Sequence, residues 1–165
     1  DHPAFAEAEK EVNAHIHRLL ALPGSKTVDH FHRELGKIMW HECAMSRTKS
    51  GLEKAIQQIK ALREEFWRDV KVTGSAAEMN TELEKALRLA DFIELGIPMC
   101  TDAHQRDESC GAHFREEFQT EDGEAIRVDD EFSYVSAWEY DDGAFKLHKE
   151  ELTFEFVQPT VRSYK

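Results

Sequence analysis

The sequence predicts a mainly α fold: an antiparallel three-helix bundle (spectrin-repeat-like) with a lead-in helix and a small C-terminal β-hairpin and extended region. Three observations carry this. Apolar residues recur three and four apart through most of the first 106 residues, which is the period of a helix with one buried face. Short turn-forming links separate those runs, and helices of about 20 residues on short links fold back antiparallel. Beyond residue 131 the period shortens to two, and an Asp-Gly pair divides the alternating segment.

Each element follows in order. Residues 3–21 place Phe5, Ala8, Val12, Ile16 and Leu19 on one stripe, with Pro3 at the start, where a missing N–H costs nothing, and Pro23-Gly24 at the end. A second helix runs from about Thr27, its N-cap, to about Met45, burying Val28, Phe31, Leu35, Ile38 and Met39. A third covers 50–71; Ser50 and Glu53 read as a capping box, followed by Leu52, Ile56, Ile59, Leu62, Phe66 and Val70. The fourth, 75–106, opens on a second such pair, Ser75 and Glu78, and continues through Met79, Leu83, Ala86, Leu87, Ala90 and Ile93. Gly96 and Pro98 are expected to interrupt it, with helix resuming past a kink. Residues 107–131 lack helical periodicity and read as an ordered loop. Phe132, Tyr134, Trp138 and Tyr140 lie on one face of a strand, Asp142-Gly143 makes the turn, and 144–148 returns. A third extended piece is expected over 153–157. Trp40, Phe66, Trp67 and Trp138 read as core anchors. The domain limits that result are 1–24 for the lead-in, 25–106 for the bundle, and 107–165 for the acidic loop, hairpin and tail.

The 165 residues are 41% hydrophobic and 33% charged, with net charge −12. This acidity speaks against nucleic acid as a partner. It concentrates in the last third of the chain. No window approaches the ~18 consecutive apolar residues of a membrane span, so no direct membrane insertion is expected. The opening Asp1-His2-Pro3, without a starting methionine or leader pattern, points to a fragment or a processed chain. The odd cysteine count (Cys43, Cys100 and Cys110) lacks a disulfide-framework spacing and fits a reducing compartment.

No dinucleotide fingerprint, phosphate loop, nucleophile elbow or His-Glu-x-x-His occurs. His15 with His17, His30 with His32, and His41 with Cys43 are each two apart, so on a helix they point away from each other. Cys100, His104, Cys110 and His113 are the one set with zinc-like donors, an i, i+4 pair followed by Cys-x-x-His. Their spacing departs from the usual paired-knuckle pattern, and metal ligation is expected to be absent. The run from Arg106 to Glu117 is dense in charge, with Arg106 and Arg115 available for bidentate pairing to carboxylates.

Four stretches together resemble one family: 31–40 (FHRELGKIMW), 62–67 (LREEFW), 106–115 (RDESCGAHFR) and 161–164 (VRSY). In this order they are similar to the C-terminal region of the flavoprotein subunit of succinate dehydrogenase/fumarate reductase. The family commonly carries arginine where this chain has Cys110, which also weakens the zinc alternative. The resemblance implies a bundle of three helices and an extended C-terminal region, leaving 3–21 as a lead-in. It implies a parent that interconverts succinate and fumarate with FAD and passes electrons to an iron–sulfur subunit and quinone. It places that parent on the cytoplasmic side of a bacterial inner membrane, held there by partner subunits. The family's flavin-binding and catalytic residues lie upstream, so no catalytic or cofactor-binding residue is carried over and this piece alone is expected to be inactive. Its expected role is support, packing on the FAD-binding domain and meeting the iron–sulfur subunit. Arg106, Glu108, Ser109, His113 and Arg115 are the expected interdomain contacts, with Arg115 and His113 as a polar docking surface whose loss leaves the bundle itself intact. The alternative is a free-standing helical protein-interaction or structural zinc-binding module.

Overall fold

A capped helix opens the chain. In the computed structural model, which describes residues 2–160, α1 spans Pro3–Ala21. His2 Nδ1 accepts from the Ala4 N–H at 3.2 Å. Only Leu19 of the expected stripe is buried, while Phe5 and Val12 are exposed. Contact begins late in the helix: Arg18 lies 4.3 Å above the Trp67 ring and His15 meets that ring edge-on.

The remaining elements, in order, are β1 (Lys26–Thr27), α2 (Val28–Glu42), β2 (Ser46–Arg47), α3 (Lys49–Asp69), β3 (Val70–Lys71), α4 (Thr81–Gln105), β4 (Phe114–Arg115), α5 (Asp129–Phe132), β5 (Tyr134–Asp141) and β6 (Ala144–Glu151). The chain divides into two compact units, Asp1–Ile38 with Gln57–Ile97, and Met39–Ile56 with Pro98–Lys165, so α2, α3 and α4 each contribute to both.

In the first unit, Val28 and Phe31 of α2 share a buried core with Ile59 and Phe66 of α3 and Leu89 and Ile93 of α4. Phe31 and Phe66 meet edge to face with centroids 5.5 Å apart, and each buried ring contributes about 1.5–3 kcal/mol. The chain enters α2 through a close approach. A Cβ on Gly24 would sit 2.2 Å from the Val70 carbonyl oxygen, and β1 pairs in parallel with β3 immediately beyond. Ser25 donates its N–H and hydroxyl to the Asp69 carboxylate at 2.8 and 2.9 Å. The Thr27 cap holds as expected, its hydroxyl oxygen accepting from the His30 N–H at 3.2 Å.

Two caps differ from the sequence reading. At α3 the capping residue is Thr48, whose hydroxyl oxygen accepts from the Gly51 N–H at 3.0 Å; Glu53 turns away to His104. At α4 the cap is Asn80, whose Oδ1 accepts from the Leu83 N–H at 3.0 Å while its Nδ2 donates to the Thr73 and Ser75 carbonyls. Residues 75–79 therefore belong to the link, and Met79 is exposed. Nor does Pro98 interrupt α4, which runs unbroken to Gln105. Ile93, Ile97 and Cys100 are all buried at helical spacing, and that packing outweighs the proline's cost of about 3 kcal/mol.

In the second unit, β5 and β6 form the expected hairpin, with Trp138 opposite Leu147 and Tyr140 opposite Phe145. Asp142 and Gly143 have φ of 43° and 86°, the left-handed pair whose twist matches that of the strands. Tyr134, Ser136 and Trp138 face inward, but Tyr140 is exposed and Phe132 falls in α5. Residues 153–157 form no strand; Phe154, Phe156 and Val157 are exposed. Trp40, expected in the core, is 75% exposed. The 161–164 stretch lies outside the described residues.

Candidate functional site

Past the end of α4 the chain doubles back on itself. Gly111, at φ 60°, lets Cys110 and His113 exchange backbone hydrogen bonds of 2.8 and 3.1 Å. This turn aims β4 along β2 in parallel, with the Phe114 and Glu116 N–H groups donating to Met45 and Arg47 carbonyls at 3.0 Å. The dense motif of the sequence is thereby folded against the C-terminal end of α4.

Arg115 is 1% exposed. Its Nη1 donates to the carbonyls of Ala103 at 3.1 Å, His104 at 3.2 Å and Arg106 at 3.4 Å, and its Nε to Glu117 at 3.0 Å. A guanidinium thus satisfies the carbonyls that a helix end leaves orphaned and sits at the negative end of its dipole. Ser109 is wholly buried, its hydroxyl oxygen accepting from the Arg115 N–H at 2.8 Å and its hydroxyl donating to the Arg115 carbonyl at 3.1 Å. Glu108 is buried as well, accepting from Arg106 Nη1 at 2.7 Å and from the Val128 N–H at 3.0 Å. These three side chains are therefore turned inward, into hydrogen bonds of their own unit. Within this chain Arg115, expected as an interdomain contact, has almost no exposed surface.

Arg106 and His113 instead border a cleft of about 400 Å³, together with Arg47, Met99, Asp102 and Ser136. Arg106 donates to the Phe132 and Tyr134 carbonyls at 3.1 Å and stacks 4.9 Å from the Tyr134 ring. Trp138 Nε1 donates to Asp102 at 3.0 Å, anchoring β5 to α4. His113 Nε2 lies 2.9 Å from the Arg106 carbonyl and Nδ1 3.2 Å from Arg47 Nη1. A carbonyl only accepts and a guanidinium only donates, so the ring is neutral with its proton on Nε2. Burial holds the His113 pKa below its ordinary value; the hydrogen bond to the Arg106 carbonyl opposes this, while the Arg47, Arg115 and Arg106 charges push the same way as burial. The geometry orders polypeptide around a helix end; its titratable groups are committed to one another.

The four zinc-like donors do not converge. Cys100 lies against Met39, with Sγ 3.8 Å from Sδ, and His104 Nε2 is 3.0 Å from Glu53. His113 is engaged as above, and Cys110 is exposed. Among the described residues no group of three or more His, Cys, Asp or Glu side chains is placed to hold a metal ion. Sequence reasoning missed Arg47, which had no motif to mark it.

The family model described as "Fumarate reductase flavoprotein C-term" matches residues 32–164. The fumarate reductase flavoprotein subunit of Serratia sp. is 28% identical over 98% of this chain and 27% of its own length. That of Escherichia coli is 29% identical over 79% of this chain and 21% of its own. Among solved structures, an E. coli quinol fumarate reductase superposes with TM-score 0.83 at 25% identity, covering 97% of this chain and 27% of that one. The Mycobacterium smegmatis Sdh1 complex shares the fold, at TM-score 0.72 and 16% identity, over 92% of this chain and 25% of that one. The chain thus spans about a quarter of the length of the relatives it matches.

Proposed function

The chain belongs to the fumarate reductase flavoprotein C-terminal family, and from that premise we propose that it is the supporting domain of a succinate dehydrogenase/fumarate reductase flavoprotein subunit. The parent interconverts succinate and fumarate with FAD and passes electrons to an iron–sulfur subunit and quinone. This domain does no chemistry; it packs on the FAD-binding domain of the same chain and meets the iron–sulfur subunit. The observation that carries the reading is the match over nearly this whole chain to about a quarter of each relative. Trp40, Met45 and Met99 support it: they expose large apolar side chains within one unit, as a surface normally covered by protein does. Among the described residues no helix is long and apolar enough to cross a membrane, which suits a subunit held peripherally, on the cytoplasmic side of a bacterial inner membrane, by its partners.

The test is complementation in two pieces. The upstream part of the subunit, expressed without residues 1–165, is expected to retain flavin only when this chain is co-expressed with it. The chain alone is expected to be colourless and to show no saturable heat on titration with FAD. Micromolar flavin affinity of the isolated chain, or full flavin retention without it, overturns the reading.

A further inference from the structure

Residues 3–15 of α1 are exposed without a break. The apolar stripe nevertheless runs the length of the helix. Phe5, Ala8 and Val12 lead at steps of three and four into Ile16, which is half-buried, and Leu19, which is fully buried. Phe5 is 78% exposed and Val12 59%. A helix draws most of its stability from packing such a face, so one stripe is covered at its end and open along its first three turns. The covered end is fixed within its own unit. Leu19 is in the core, Arg18 lies 4.3 Å above the Trp67 ring, and His15 meets that ring edge-on at 5.2 Å. Charge marks the borders of the open part. At 3.6 residues per turn, Glu9 flanks the stripe on one side and Glu11 on the other. Glu7 and Lys10 lie on the far face and pair with each other at 3.6 Å.

We propose that this face of α1 is a docking surface for the polypeptide upstream of it in the parent subunit, which meets it with an apolar groove rimmed by lysine or arginine. The inference rests on the supporting-domain reading above and names the face by which that domain is held. Three observations select this occupant. The chain spans about a quarter of the length of its relatives, so on that reading most of the parent lies outside it. The match to the Serratia subunit takes in 98% of the chain, and therefore α1 with its stripe. The carboxylates of Glu9 and Glu11 border the apolar strip on both sides, and their charge is complemented by a basic rim rather than by an acidic one. Phe5 and Val12 then serve as the anchors, entering the groove as the residues of an amphipathic helix do at this spacing.

The experiment is hydrogen–deuterium exchange of the full-length flavoprotein subunit, purified without its iron–sulfur partner, beside the 165-residue chain. Amides of residues 6–14 are expected to exchange at least about tenfold more slowly in the full-length subunit, since burial of either large side chain shifts local opening by that much or more. Phe5→Glu and Val12→Glu, which put a charge into the contact, are expected to restore the fast rate within the full-length subunit. Ala14→Glu, on the far face, is expected to leave the slow rate in place. Equal wild-type rates in the two proteins overturn the proposal, and so does protection that survives Val12→Glu. Protection that appears only once the iron–sulfur subunit is added assigns the face to that protein and overturns it as well. Protection that the isolated chain acquires as its concentration rises assigns the face to a second copy, with the same result. Should a variant fail to fold, the wild-type comparison decides by itself. The two-piece flavin test separates this inference from the reading beneath it. Flavin retention that depends on this chain, with α1 exchanging fast, keeps the supporting role and removes only this surface. Slow exchange of α1 beside an upstream part that holds flavin unaided does the reverse.

Discussion

Replacing Arg115 separates a docking residue from a structural one. Arg115→Ala removes the donors that hold the Ala103 and His104 carbonyls at 3.1 and 3.2 Å. Each buried carbonyl left without a partner costs about 1–3 kcal/mol. The vacated volume adds a cavity term of the kind seen in large-to-small core changes. The ion pairs add little, since Asp107 and Glu117 are 51% and 41% exposed and their charges are screened. A loss of about 3–5 kcal/mol follows for Arg115→Ala. Arg115→Met, which keeps the buried stem, loses about 2 kcal/mol. In a chain of this size that is a fall of roughly 10 °C in Tm for the alanine variant, read by thermal and urea denaturation of the 165-residue chain followed by circular dichroism. If both variants melt within about 0.5 kcal/mol of the wild type, as surface substitutions do, the inward role is refuted and Arg115 serves a surface outside this chain.

Other perturbations probe the remaining elements. Gly24→Ala drives a Cβ to within 2.2 Å of backbone, so it is expected to lower the unfolding free energy by about 1–3 kcal/mol, read as a lower urea midpoint; an unchanged midpoint contradicts the close approach. Asn80→Ala removes the α4 cap and is expected to cost about 1 kcal/mol, whereas Glu78→Ala changes stability by less than about 0.5 kcal/mol. The reverse ranking restores the Ser75–Glu78 capping box. His113 has a folded pKa below its ordinary value, so just below pH ~6.5 the unfolded chain binds a proton that the folded chain does not. Stability is full above that pH and falls as the solution is acidified toward the folded pKa. His113→Gln is expected to flatten this arm of the stability profile, and equal slopes in the two proteins refute the assignment.

Much of this fold is legible because amphipathic periodicity is local information. The positions of α1, of the three long helices and of the hairpin all follow from spacings within about 20 residues. What the sequence conceals depends on residues far apart. Ser50–Glu53 and Ser75–Glu78 satisfy a capping pattern, yet Glu53 meets His104 and Asn80 ties down its own link; tertiary partners outbid the local pair. Trp40 reads as a core anchor yet stands exposed. The motif from Arg106 to Arg115 reads as an exposed polar loop because its burial depends on the chain reversing over α4. Nothing in the spacing of charges reveals that reversal.

The helix end capped from downstream also has a consequence for synthesis. Translation completes α4 at Gln105, but the side chain that caps its last carbonyls belongs to Arg115. The buried Glu108 carboxylate beside it waits for the Val128 N–H. At roughly 5–20 residues per second on the ribosome, the 23 residues from Gln105 to Val128 impose an interval of about one to five seconds. Until Arg115 emerges the helix end holds open carbonyls, and until Val128 emerges Glu108 has Arg106 as a partner but lacks its second donor. A nascent chain that stalls in this window, or a truncated gene product ending there, exposes that unfinished end to the quality-control machinery. The acidic stretch after the bundle therefore finishes the helix that precedes it.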